Sequence, residues 1–488
     1  MISEENGTLT FNFLWNNQIT SVDEWCKDLT ARFSRGMLTA IHMNFAPLTV
    51  MPEPLCRLTA LTSLCMHYHS TGLRELPESL SQLTALTTLR VKWSWGVVRL
   101  PESLGQLAAL TTLDLNGCRA LTELPESLYQ LAALTYLDLS WCRALTRLPA
   151  TLGRLTALTT LCMAGCNSLT GLPDGFGHLA NLTVLNLKDC CALVDVPELR
   201  PLAVLDVLGL SLHGALASGS VARWVGQLAA LKTLDLECSC GRGERAVCEP
   251  LTLPEYVTGL ATLTTLVIKH SHSLTALHGA LGRMAALTTL ELVDCIALAE
   301  LPESLGRLTA LQAMSLIGCR ALVGLPESLG QLTFLTTLNL FGCHKITVLP
   351  KSLGQLASLT TLRLTKCASL RLLPESIGQL AALTMLHLAG CESLTRLPVS
   401  FCYMPSILQT EFVSCFSLVS PDEIPQELHK APPLEFPPLA VALQGTTTIT
   451  KFLFEHHYPL KVLVFYLAAR GQSTMPEELW QLLCSIGA

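Results

Sequence analysis

Charge is scarce in this sequence. Only 14% of its residues are Asp, Glu, Lys or Arg, and 32 basic against 38 acidic side chains leave a formal charge of -6 over 488 positions. No basic stripe recurs along the chain, so nucleic acid is not expected as a partner. Long apolar runs are also missing: near the C-terminus the longest, Val462 to Ala469, falls far short of the roughly 20 residues a membrane span needs. The start, MISEENGTLTFNF, has neither the basic region nor the apolar core of a secretion signal. A cytoplasmic protein with no membrane partner is therefore expected. Catalytic signatures are absent too. No Lys follows a Gly, which removes a GxxxxGK[ST] phosphate loop, and HExxH, a paired HRD and DFG, and GxSxG do not occur. Neither an enzyme nor a cofactor is expected.

What the sequence does contain is repetition. The unit Leu100 to Glu123, LPESLGQLAALTTLDLNGCRALTE, can be laid in register with two copies before it and twelve after it. Leu100, Leu104 and Leu107 have the spacing of one helical face, with Pro101 where a first turn tolerates a missing N–H, so the front half predicts a short helix or helical turn. Leu113 and Leu115 alternate with Thr112, Asp114 and Asn116, the period of a strand. Gly117, Cys118 and Leu121 then lead the chain around a corner to the next Leu-Pro pair. One copy buries too little apolar surface to offset the entropy of ordering it. Stacked copies share their apolar faces and pair their strands into one parallel sheet.

The chain carries 20 cysteines, and ten of them share one position of the repeat: Cys118, Cys142, Cys166, Cys190, Cys295, Cys319, Cys343, Cys367, Cys391 and Cys415. Adjacent rungs lie within bridging distance, but side chains that point the same way, with no sign of an oxidising compartment, predict reduced thiols. They are expected to pack as small hydrophobes with weak S–H donors to the turn backbone.

Residues 1 to 50 read as an N-terminal cap. Leu9, Phe11, Phe13 and Trp15 alternate as in a strand, a helix carrying Trp25, Leu29 and Phe33 follows Ser21 to Glu24, and Leu38, Ile41 and Met43 mimic the repeat strand where the sheet should begin. Fifteen repeats occupy 51 to 420, in two regular arms joined by an irregular stretch and insertion at 196 to 252. Residues 421 to 488 form a C-terminal cap, a stiff linker at APPLEFPP and a small helical module from Leu439 to Ala488.

Binding is the best-supported activity. In LTTLDLNGC the second, third, fifth, seventh and eighth positions should face the concave side of the sheet. The second and third are mostly Thr, a β-favouring choice, while the other three vary as a recognition surface should. In the first arm the candidates are His67, Tyr68, Arg90, Lys92, Trp93, Asp114, Asp138 and Trp141, joined by Tyr136 from a third position; in the second they are Lys269, His270, Glu291, Asp294, Phe341, Arg363, Lys366 and His387. Tolerated solvent-facing substitution would produce the same variation. The aromatic cluster of Tyr68, Trp93 and Trp141 favours binding, because large aromatics dominate interface energetics. The insertion ECSCGRGERAVC offers Cys238, Cys240 and Cys248, with His270 one copy later at the position of Cys238. Three thiolates and an imidazole suit zinc, although the spacing is not a zinc signature and an ordinary exposed insertion is the alternative.

The pattern LxxLxLxxC with a leucine three residues later resembles the leucine-rich repeat family. The resemblance implies an α/β fold class: a leucine-rich repeat solenoid, a curved horseshoe with a parallel sheet on the concave face and short helices or turns on the convex one. More narrowly, LDLNGCRALTELPESLGQL resembles the repeat region of plant intracellular immune receptors of the Toll/interleukin-receptor, nucleotide-binding class, and Ras-pathway scaffolds with Leu-Pro-x-x-Leu repeats. The match covers residues 51 to 420. With no phosphate loop and little chain before the first repeat, a repeat-only recognition or scaffold protein is expected, with protein partners and possible use in defence-like signalling. It is expected to be a monomer. The competing reading is a substrate adaptor for ubiquitin ligation, since MPEELWQLLCSI resembles the first helix of an F-box.

Overall fold

The computed structural model describes residues 2–5, 8–14, 38–44, 50–67, 72–194, 196–197, 202–211, 225–226, 228–237, 251–253, 255–395, 397–398, 400 and 409–411. The chain divides into two compact units, residues 1–244 and 245–488. Each is a stack of the predicted copies.

In the first unit, β1 (Ile2–Glu5) pairs antiparallel with β2 (Thr8–Leu14), and β2 runs parallel to β3 (Ala40–Asn44). The sheet therefore begins two strands before the segment at Leu38 where the sequence placed its start. The hairpin supplies a partner for the edge of β3, which would otherwise present unpaired backbone groups. Parallel pairing continues through β4 (Ser63–His67), β5 (Thr88–Lys92), β6 (Thr112–Asp114), β7 (Tyr136–Asp138), β8 (Thr160–Cys162), β9 (Val184–Leu187), β10 (Val207–Ser211) and β11 (Thr233–Glu237). Equivalent repeat positions face one another across the pairs of regular copies, as in Thr88 with Thr112 and Leu89 with Leu113.

The second unit opens with a small parallel pair, β12 (Leu251–Thr252) and β14 (Leu274–Ala276). Its main sheet is parallel throughout and runs β13 (Thr265–Lys269), β15 (Thr289–Val293), β16 (Ala313–Ser315), β17 (Thr337–Asn339), β18 (Thr361–Arg363), β19 (Met385–His387) and β20 (Gln409–Glu411). The predicted N-terminal helix, the insertion cysteines Cys238, Cys240 and Cys248, Cys415 and the C-terminal module lie outside the described residues.

Across from the sheet, each regular copy carries a 3-10 turn of three to five residues, such as Glu102–Gln106, rather than an α-helix. The backbone explains why. Leu104 N–H donates to Pro101 C=O at 3.1 Å, Leu107 to Leu104 at 3.1 Å and Leu110 to Leu107 at 2.9 Å, so bonds close every three residues. Leu104, Leu107 and Leu110 repeat at that period and are all fully buried, because side chains three apart eclipse in a 3-10 turn. Pro101 stands at the N-cap with φ -67° and ψ 145°, where its missing N–H leaves no gap in the bonding.

Three side-chain ladders tie neighbouring regular copies together. The second-position Thr hydroxyl donates to the same carbonyl one copy earlier, as in Thr111 to Thr87 and Thr135 to Thr111 at 3.0 and 3.1 Å. The cysteines form the second ladder: Cys118 Sγ donates to Val91 C=O at 3.0 Å, Cys343 to Leu316 at 3.0 Å and Cys391 to Leu364 at 3.1 Å. All nine described rungs are buried free thiols, and burial pushes Cys118, Cys190 and Cys367 up to about 12. The third uses the glutamate of Pro-Glu-Ser. Its carboxylate caps the 3-10 turn of the following copy, as when Glu78 accepts from Ser103 N–H at 3.0 Å and Glu327 from Lys351 and Ser352 N–H at 3.1 and 3.0 Å. These exposed glutamates solvate the surface, as their regular spacing suggests, and also connect neighbouring copies.

Candidate functional site

With the leucines at the fourth and sixth positions sealed into the core, the third, fifth and seventh positions stand on the opposite face of each sheet. The eighth ends the strand, and its backbone is unusual. Trp93, Trp141, Asp189, His270, Asp294 and Lys366 have φ between 52° and 63°, and Gly117, Gly165, Gly318, Gly342 and Gly390 lie between 69° and 80°. All eleven occupy this one column, and together they are all the positive-φ residues among those described. The conformation lets the chain turn while its N–H still reaches the next copy: Trp93 N–H donates to Asn116 C=O at 2.7 Å and Gly117 N–H to Ser140 C=O at 2.8 Å. For an L-residue this left-handed state costs roughly 1–2 kcal/mol, somewhat less for Asp.

The large residues in this column lie against the glycines that follow them. A Cβ on Gly117 would sit 2.8 Å from Trp93 Cε3, and one on Gly165 would sit 2.8 Å from Trp141 Cε3. A Cβ on Gly318 would meet the Asp294 carboxylate, and one on Gly390 would meet the Lys366 stem at 3.4 Å. Each indole therefore rests flat on a backbone that only glycine leaves open. Trp93 and Trp141 are half-buried, at the sheet surface rather than in the leucine core. Around them, the Arg119 guanidinium lies 4.4 Å from the Trp95 ring centroid, and that of Arg143 lies 5.4 Å from the Trp141 ring. Trp95 is 42% exposed. These tenth-position residues were missed by a reading that treated the position as a corner; the run Trp95, Arg119, Arg143 was the available signal.

The fifth column departs from expectation. Asp114 and Asp138 are 2% and 7% exposed, and their carboxylates are engaged inside the array. Asp114 accepts from Asn116 N–H at 3.2 Å, lies 2.7 Å from Lys92 Nζ, and has Arg90 Nε at 4.0 Å. Asp138 accepts from Ser140 N–H at 2.8 Å, from the Tyr136 hydroxyl at 3.3 Å and from Asn116 Nδ2 at 3.4 Å. Burial, then the neighbouring Asp138, pushes the Tyr136 phenol up. These two carboxylates close the turn that ends their own strand and hold Lys92 and Tyr136 in place. Arg90 is exposed, whereas Lys92 and His67 are half-buried, and desolvation followed by Lys92 lowers the His67 imidazole. Tyr68 lies outside the described residues.

Farther along the first unit, Lys188 is ion-paired with Asp235 and lies 3.7 Å from Glu237, two copies on. The intervening copy carries Gly209 at its fifth position, where a Cβ would approach the Lys188 Cε to 3.3 Å. Absence of a side chain there opens the lysine's path.

In the second unit, His270 Nδ1 stands 3.5 Å from Asp294 Oδ2. The Lys366 ammonium lies 5.4 Å from the Phe341 ring centroid, and Phe341 N–H donates to Asn339 Oδ1 at 3.1 Å. Lys366 and Arg363 are exposed, while Lys269, Glu291 and His387 are half-buried on the same sheet face. His270 is thus engaged with a carboxylate; the three cysteines of the suggested zinc site lie outside the described residues.

Residues 92–192 match the family described as leucine-rich repeat region. A search of curated protein sequences finds no match. Among solved structures, the chain is similar to a leucine-rich repeat protein of Leptospira interrogans, with 24% identity over 72% of this chain and 85% of that one and a TM-score of 0.45. It is similar to an internalin of Listeria monocytogenes at 16% identity, covering 77% and 94% with a TM-score of 0.41. A plant peptide hormone receptor, RGFR1 in complex with RGF2, aligns at 18% identity over 78% and 77%, with a TM-score of 0.38. The fold is a leucine-rich repeat solenoid, and no helix among the described residues is long and apolar enough to cross a membrane.

Proposed function

We propose that this leucine-rich repeat array is a non-catalytic recognition or scaffold protein that grips protein partners through the sheet face opposite its leucine core. That face corresponds to the concave one expected of such a coil. One observation carries the reading. The eighth column, which glycine fills at least conformational cost, instead carries Trp93, Trp141, Asp189, His270, Asp294 and Lys366 in a left-handed backbone. These residues stand beside the variable fifth and seventh columns, and in the first unit they make a half-buried aromatic surface flanked by guanidinium groups. Trp and Arg are the side chains that contribute most to protein interfaces. Defence-like signalling inside the cell is the setting we attach to it, on the strength of the Cys-containing LDLNGCRALTELPESLGQL repeat.

The test is affinity capture from the source cell with wild type and with a Trp93→Gly, Trp141→Gly variant. Glycine is chosen because neighbouring copies carry it in this column, so the backbone should be retained. A partner recovered by wild type and lost by the variant is expected. Equal recovery by both would remove the indoles from the binding surface.

A further inference from the structure

The tenth column of the first unit presents two guanidinium groups that no carboxylate among the described residues neutralises. Arg119 stacks on Trp95 at 4.4 Å, and Arg143, one copy on, stacks on Trp141 at 5.4 Å. Stacking engages the flat face of a guanidinium and leaves its in-plane N–H groups able to donate, and Arg143 is exposed while Arg119 is half-buried. The nearby acids are already committed: Asp114 to Lys92 and the Asn116 N–H, Asp138 to Tyr136 and the Ser140 N–H, and Glu123 to Arg147 at 3.0 Å. Among the described residues, no carboxylate comes within ion-pairing distance of Arg119 or Arg143. The Arg119 Nε is also buried with no hydrogen-bond partner among the described residues.

We infer that Trp93, Trp95, Trp141, Arg119 and Arg143 form a docking surface for an acidic peptide segment, whose carboxylates meet the two guanidinium edges while its neighbouring residues cover the indoles. This rests on the protein-binding reading above and specifies the chemistry of the partner. Charge complementarity selects the occupant. Planar, immobilised guanidinium groups favour carboxylates through paired N–H to oxygen bonds, which are roughly twice as strong as neutral ones. The stacked indoles fix each guanidinium before binding, so less side-chain freedom is lost on contact. A cationic or purely apolar segment would leave both arginines desolvated and unpaired.

The test uses the full chain and a short fluorescein-labelled oligoglutamate, read by fluorescence anisotropy, with a glycine-serine peptide of equal length as the neutral control. Wild type should bind the oligoglutamate and ignore the control, with binding weakening as salt rises. Combining Arg119→Gln with Arg143→Gln should reduce affinity at least about tenfold, two charge-assisted contacts being removed. Arg154→Gln removes a guanidinium stacked on Tyr129 at 5.1 Å on the 3-10 side, and should leave binding unchanged. Equal losses in both variants, or no oligoglutamate binding by folded wild type, would overturn the acidic-peptide assignment. So would concentration-dependent self-association that the double substitution abolishes, since the occupant would then be a second copy. If oligoglutamate fails while Trp93→Gly with Trp141→Gly still loses its captured partner, the chemistry is wrong and the docking surface stands; if capture is also unaffected, both fall.

Discussion

Replacing Gly117 by Ala separates two costs that the eighth column combines. A Cβ there must adopt the left-handed backbone at φ 80°, worth roughly 1–2 kcal/mol. It must also enter space held by Trp93, whose Cε3, Cδ2 and Cα would lie 2.8, 2.9 and 3.2 Å away. Those atoms belong to the fused part of the ring and to the backbone, so the indole has to leave as a body. Overpacking of this kind adds about 1–3 kcal/mol, for a total of about 2–5 kcal/mol. Gly342→Ala supplies the comparison: its Cβ would meet nothing nearer than Gly318 Cα at 3.7 Å, so it should show the backbone cost alone. The decisive measurement is a double-mutant cycle in which Gly117→Ala is made with and without Trp93→Gly. Local opening free energies should be read by hydrogen exchange over residues 88 to 122, since stacked copies open locally before the array melts. A coupling of about 1–3 kcal/mol is expected. Coupling within about 0.5 kcal/mol of zero, or a Gly117→Ala cost no larger than that of Gly342→Ala, would refute the stacking of indole on glycine.

The cysteine ladder should make the protein sensitive to alkali. Folded Cys118, Cys190 and Cys367 titrate at about 12 against a reference of 9.0, so above pH 9 the unfolded chain releases thiol protons first and stability falls toward pH 12; Cys118→Val should flatten part of that slope in a denaturation series, and an unchanged profile would count against the ladder. At acid pH the glutamate ladder acts in the other direction. Bonds from Ser352 and then Lys351 N–H hold Glu327 below its reference of 4.5, so its contribution is present above that value and lost as pH falls through the lower folded pKa; Glu327→Gln should cost about 0.5–1 kcal/mol at neutral pH by hydrogen exchange over residues 349 to 356 and remove that acid step. Asp114→Ala should destabilise the β5–β6 region by about 1–3 kcal/mol and Asp114→Asn by less, because Asn keeps an acceptor for the Asn116 N–H; equal effects would assign the loss to the Lys92 charge pair.

Most of this architecture could be read from the period. A leucine or cysteine recurring at a fixed interval reports burial at that position, and the nine described ladder cysteines are buried with thiols aimed at backbone carbonyls, as their shared position suggested. The turn was read less well. Leu100, Leu104 and Leu107 fit a helical face, but the more telling series is Leu104, Leu107 and Leu110, whose strict period of three belongs to the i to i+3 bonding of the 3-10 turn. The threonines were legible only as β-formers, because column composition does not reveal that each hydroxyl donates to the copy before it. Asp114 and Asp138 show the deeper reason. Their partners are diagonal: Lys92 comes from the seventh column one copy back, and Asn116 from the seventh column one copy before Asp138. Reading down columns predicts which residues vary; it does not predict which varying residues neutralise each other.

That diagonal pairing sharpens what variation means in a repeated array. A substitution at the fifth column can be absorbed by a partner in the seventh, as Asp114 is by Lys92 and Asp235 by Lys188, and such pairs yield internal structure. The eighth and tenth columns work differently. Trp93 and Trp141 persist in a backbone that glycine adopts more readily, and the glycine following each leaves room for the indole to lie down. The tenth column adds guanidinium groups stacked on rings with no acid to meet them among the described residues. Where a varied residue finds its counter-charge within the array, stability accounts for it. Where it is fixed in place by an aromatic neighbour and no acid among the described residues meets its charge, the binding reading proposed above gives the arrangement a use, and Arg119 and Arg143 in the tenth column are where substitutions should impair recognition before they impair folding.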